Sequence, residues 1–128
     1  MSREKLNQLS KKIIGAAIEV HQELGPGLLE SVYEHCLEAE LKARKIQVAR
    51  QVQLPVVYKG EALKKDFFID LLIEQEIIVE LKCVDVVLPV HEVQLVTHLK
   101  LADKHLGLLL NFNVPMMKQG IIRKVNQF

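Results

Sequence analysis

The sequence has no long apolar run, no C-x-x-C spacing and almost no net charge; the first two absences each close a class of function, and the third weakens one without ending it. No stretch approaches the ~18 apolar residues that would span a bilayer. Met1-Ser2-Arg3-Glu4-Lys5 leads into an amphipathic segment rather than a signal-peptide core, so a cytoplasmic protein without membrane contact is expected. The two cysteines, Cys36 and Cys83, each sit in an apolar pattern, which reads as reduced buried thiols and not as a disulfide or a zinc site. A formal charge of +1 is far from the basic excess by which nucleic-acid binders are usually recognised. Basic residues do gather locally, at Lys42, Arg44, Lys45 and Arg50, at Lys59, Lys64 and Lys65, and at Lys118, Arg123 and Lys124. Each group alone reads as a solvated helix end or turn.

What is present fits one folded domain spanning residues 1–128, with 49% apolar and 26% charged residues and enough chain to bury a core. Leu6, Leu9, Ile13, Ile14, Ala17, Ile18 and Val20 recur at helical spacing from Lys5 to about Leu24, where Gly25-Pro26-Gly27 ends the helix. A second helix is predicted from Leu28 to Lys45, burying Leu29, Val32, Tyr33, Cys36, Leu37 and Leu41. From Ile46 to Cys83 the period becomes strand-like, with a turn at Lys59-Gly60-Glu61. A helix follows over Val90–His105 after Pro89, then a buried strand over Leu106–Phe112 and a last strand over Gly120–Val125. The order is α, α, β, β, β, α, β, β.

The segment from Asp66 to Cys83 reads as a β-hairpin. A three-residue loop at Glu74-Gln75-Glu76 makes paired positions sum to 150, setting Ile73 against Ile77 and Asp70 against Glu80. The odd face then carries Phe67, Ile69, Leu71, Ile73, Ile77, Val79, Leu81 and Cys83, all suited to a core. The even face carries Asp70, Glu80 and Lys82 with Phe68, Leu72 and Ile78.

Two carboxylates on facing strands, with Cβ atoms about 5 Å apart, repel one another unless a cation compensates them. A hard divalent ion, magnesium or manganese, suits that geometry, with waters or substrate phosphate completing its shell. Asp70 and Glu80 would hold the ion for phosphodiester hydrolysis, and Lys82 would position the attacking water or stabilise the transition state. The plainer reading of the same residues is a surface salt bridge on a half-exposed sheet.

Asp70 followed by Glu80-Leu81-Lys82 on the next strand resembles the core motif of the PD-(D/E)XK nuclease superfamily, whose fold is a restriction-endonuclease-like αβββαβ core with a mixed α/β sheet flanked by helices. More narrowly, Gly27-Leu28-Leu29-Glu30-Ser31-Val32-Tyr33 is similar to the signature of the GxxExxY family within it. Leu88-Pro89-Val90-His91-Glu92-Val93-Gln94-Leu95 and Leu110-Asn111-Phe112-Asn113-Val114-Pro115 also look like segments of that family. The resemblance implies a magnesium- or manganese-dependent nuclease acting on DNA rather than RNA. It adds Glu30 as a third metal ligand beside Asp70 and Glu80, and Gln94 as a catalytic residue reaching the same site.

Each of these residues also has a structural reading. Glu30 lies in a first helical turn, where a carboxylate is favoured in any case. Tyr33 is either a core residue or a substrate contact, Gln94 either a buried amide or catalytic, and His91 either a core histidine or a lining of the cleft. His91, His98 and His105 share one helical face, but seven-residue spacing at ~1.5 Å per residue puts them too far apart for one zinc ion. Two positions depart from the relatives: His98 stands where the glutamine helix often carries tyrosine, and Phe68 where many carry a basic residue. The competing function is a weak or inactive nuclease-fold binding module within a larger nucleic-acid-processing complex. The small size of the chain makes a homodimer a natural way to widen its footprint.

Overall fold

The computed structural model describes residues 1–128, apart from the side chains of residues 64–66. Lys64 and Lys65 of the second basic group therefore lie outside the described side chains. The elements run α1 (Arg3–Leu24), α2 (Glu30–Ala43), β1 (Val48–Tyr58), β2 (Glu61–Ile73), β3 (Ile77–Lys82), α3 (Pro89–Ala102), β4 (Leu106–Asn111), a 3-10 turn (Met117–Gly120) and β5 (Ile121–Val125). The strands form one five-stranded sheet in sequence order. Only β3 and β4 are parallel, because α3 lies between them as a crossover, so the sheet is mixed. The expected order of elements and the restriction-endonuclease-like α/β architecture are what is found.

Helices α1 and α2 cover one face of the sheet through Ile13, Ala17, Tyr33, Leu37 and Leu41 against Leu71, Ile73, Val79, Leu81, Leu108 and Leu110. Helix α3 covers the other with Leu95 and Leu99 against Leu72, Ile78 and Leu109. The centre of the sheet is dry on both faces, as a parallel pair covered by helices requires. Gly107 sits where the α3 helix comes closest: a Cβ there would lie 2.8 Å from Leu95.

Three expectations need correction. Helix α2 begins at Glu30 and is rotated, so that Tyr33, Glu34, Leu37 and Leu41 face inward while Leu29, at 74% exposure, and Val32 face out. Stacking of Tyr33 on Phe112, with ring centroids 4.5 Å apart, sets that rotation. Helix α3 stops at Ala102 because Asp103 adopts a left-handed conformation (φ 54°), so His105 is outside it. Its ring instead bonds the Asn126 carbonyl at 2.9 Å.

The third correction concerns the hairpin. Its register is the expected one, with Ile73 opposite Ile77, Leu72 opposite Ile78 and Leu71 opposite Val79. The β2–β3 ladder then ends. The β1–β2 ladder continues past that point but skips one rung, from Arg50–Leu71 to Val52–Ile69. The skipped residues are Gln51, with φ 53°, and Asp70. Below the gap Leu71 packs under α1 and α2, whereas above it Ile69, Phe67, Val52 and Leu54 pack under α3. The odd face is therefore not continuous: the two strands change sides together at Gln51 and Asp70, and the ribbon wraps over α3.

Candidate functional site

The signature Gly27-x-x-Glu30-x-x-Tyr33 has a plain physical reading. Gly25 and Gly27 take φ of 69° and 95°, a region that favours glycine, and so turn the chain between α1 and α2. The Tyr33 hydroxyl donates to the Gly25 carbonyl and accepts from the Leu28 N–H, clamping that turn. Glu30 is thereby fixed as the first residue of α2, at the mouth of a cleft of about 420 Å³ lined by Leu29, Glu30, Ser31, Glu34, Gln51, Asp70 and Leu81. Tyr33 is wholly buried and its hydroxyl is engaged on both sides, which removes it as a substrate contact.

Asp70 enters the same cleft because the β2–β3 ladder has just ended. Its Oδ2 accepts the freed Leu81 N–H at 2.8 Å, and its Oδ1 lies 3.4 Å from the Gln51 side-chain amide. That amide also donates to Glu34. Arg50 lies against Glu34 at 3.6 Å and Glu38 at 3.7 Å, so the α2 carboxylates are tied to β1. Burial raises the Asp70 pKa above the usual carboxylate value; the Leu81 N–H opposes this, and the charges of Glu34 and Glu80 add to it. Burial likewise raises Glu30, with Asp70 and Glu34 adding and Lys82 opposing. The Cys83 thiol is raised by burial and by Glu30.

Glu80 stands apart from this group. It lies on the α3 side of β3 and bonds His98 Nδ1, and His98 in turn stacks on Phe67 with centroids 4.2 Å apart. Asp70 and Glu80 therefore turn to different partners instead of converging, although Glu80 is close enough for its charge to act on Asp70. The change of side at Gln51 and Asp70 is the reason. Lys82 is half-buried at the end of β3, and among the described residues it forms no ion pair. Gln94 is exposed on α3, and among the described residues no hydrogen bond joins it to any of the carboxylates. His91 caps its own helix, accepting the Leu88 N–H at Nδ1, 3.0 Å away.

The structure thus brings Glu30 and Asp70 together, sets Lys82 within electrostatic reach of Glu30, and leaves Gln94 and His91 outside the cleft. Glu34 and Gln51, which line it, escaped the sequence reading. Glu34 follows Glu30 by four residues and so shares its helical face, a signal that was available. Nothing in the sequence marks Gln51. The backbone around the site is braced by Asn111, whose side chain accepts the Val84 N–H and donates to the Val84 carbonyl. The oxygen set of Glu30, Glu34 and Asp70, gathered in one cleft, is chemistry suited to a hard divalent cation. Among the described residues, however, no three His, Cys, Asp or Glu side chains close on one point as metal ligands.

A mixed sheet with helices on both faces, an acidic cleft where β2 leaves β3 and a lysine two residues beyond a glutamate on β3 define a nuclease-like α/β protein. Residues 7–124 match the PD-(D/E)XK nuclease superfamily, and the chain belongs to it. No curated protein and no solved structure gives a significant match.

Proposed function

We propose that this chain is a magnesium- or manganese-dependent nuclease of the GxxExxY branch, acting on DNA and working as a single domain. The observation that carries the reading is the gathering of Glu30 and Asp70 in one cleft, where burial first and neighbouring negative charge second raise both carboxyl pKa values. Magnesium is commonly held by one or two carboxylates, with water and substrate phosphate supplying the rest of its shell. Asp70 and Glu30 would provide those carboxylates, with Glu80 joining when it leaves His98. A bound ion would supply Lewis-acid polarisation of the scissile phosphate and a lowered pKa for the attacking water. The Lys82 ammonium would stabilise the charge that builds on the phosphoryl oxygens.

Purified protein should nick plasmid or single-stranded DNA when magnesium or manganese is added. Asp70→Ala, Glu80→Ala and Lys82→Ala should each lower the rate at least ~100-fold, the scale on which one transition-state contact acts. Wild type that cuts neither DNA nor RNA with either ion overturns the proposal. A second reading, a binding module that retains the fold without turnover, is favoured by the bond between Glu80 and His98. It predicts that the protein retains nucleic acid on a gel while manganese titration shows no heat of binding. A homodimer would extend the small footprint, and light scattering measures it directly.

A further inference from the structure

Beyond the cleft, the β1–β2 ribbon presents an aromatic ring that the core does not use. Phe67 and Ile69 both pack under α3, so Phe68 between them points from the opposite side of the ribbon. Val52 and Leu54 pack under α3 in the same way, placing Gln53, the partner of Phe68 across the ladder, on that opposite side as well. This is the side from which α2 brings Glu30 and Glu34 to Asp70. Phe68 is 54% exposed, and Asp70 follows it by two residues, about 7 Å along the strand. Leu29, also exposed and apolar, lines the cleft itself.

We propose that Phe68 is a stacking platform for an unpaired base of the substrate, and that the site takes single-stranded nucleic acid in preference to an intact duplex. The inference rests on the nuclease reading of the same cleft. An aromatic face accepts any base, but only one that has left its own stack. An intact duplex keeps its bases stacked on one another and offers such a face nothing, so an exposed phenylalanine two residues from Asp70 favours a strand whose bases are free. An exposed Leu29 in the cleft lining and an exposed Phe68 two residues from Asp70 suit splayed bases more than a continuous phosphate ridge.

The chain contains no tryptophan, so Phe68→Trp introduces one fluorophore at the platform. Binding is measured in metal-free buffer, where cutting does not occur, so failure of the hydrolytic reading leaves the result intact. A thymidine 12-mer should quench the Phe68→Trp emission, and the same oligomer made abasic should not. Fluorescence polarisation with a labelled 12-mer should show wild type favouring the single strand over the matching duplex. Phe68→Ala should weaken single-strand binding about tenfold and duplex binding little. Thermal unfolding of Phe68→Ala at the wild-type temperature separates lost stacking from lost folding. Equal affinity of wild type and Phe68→Ala for the single strand, or equal quenching by the abasic oligomer, would falsify the proposal.

Discussion

The β3–β4 pair and the β1–β2 ribbon are built from similar apolar residues and do opposite things. All six residues of β4 are buried, as are the first five of β3, and the parallel ladder between them is unbroken from Ile77–Leu106 to Lys82–Asn111. The ribbon keeps only three rungs with β3, then skips a rung of its own and wraps toward α3. Continuous pairing leaves no backbone group for anything else. Where pairing stops, the Leu81 N–H is free to fix Asp70, and the acidic cleft forms at that break. Rigid strands thus hold the side chains, and the interruption of the ladder exposes them.

The comparison breaks most clearly on stability. Leu110→Ala, in the dry centre of β4, should cost ~3 kcal/mol and lower the melting temperature by roughly 10 °C or more. Val57→Ala, on the ribbon at 56% exposure, should change stability by under ~0.5 kcal/mol. Comparable losses in thermal unfolding would mean the ribbon is as much a part of the core as β4. Tyr33→Phe should cost ~1 kcal/mol, because the Gly25 carbonyl loses its donor and the Leu28 N–H its acceptor. On the nuclease reading it should also weaken manganese binding, since the turn that presents Glu30 loosens; unchanged calorimetry would separate the clamp from the site.

The most specific effect is one of pH. With a carboxyl pKa raised by burial, folded protein keeps the Asp70 proton over a pH range in which unfolded chain has lost it. Stability contributed by this group therefore falls as pH rises from the ordinary carboxylate range, about 4, through the raised value. Asp70→Asn removes the buried charge, so it should raise the melting temperature by a few degrees at pH 7. That gain should vanish below the ordinary carboxylate pKa. A gain that persists undiminished at pH 3 would show that the charge of Asp70 is not its source.

Much of this was legible from spacing alone. The Glu74–Glu76 loop fixed the register of β2 on β3, because an antiparallel hairpin with a given loop length has one pairing. Pro89 began α3, and the glycines before Glu30 marked the turn that presents it. Side-chain direction near Asp70 was not legible, since the two-residue alternation assumes a continuous strand and Gln51 breaks it with a left-handed backbone. Spacing puts Glu34 on the helical face of Glu30, but how far that face turns inward was not legible, because it follows from where Tyr33 meets Phe112, a residue 79 positions along the chain.

The sequence by itself determined the order of elements, the hairpin register and the set of residue types from which an acidic site can be made, because periodicity and turn chemistry are local. Only the tertiary structure decided which carboxylates share a cleft. It grouped Glu30, Glu34 and Asp70, assigned Glu80 to His98, and set Phe68 on the side of the ribbon away from α3. Those choices depend on helix rotation and on a rung missing from a ladder, and both are settled by packing between segments far apart in the chain.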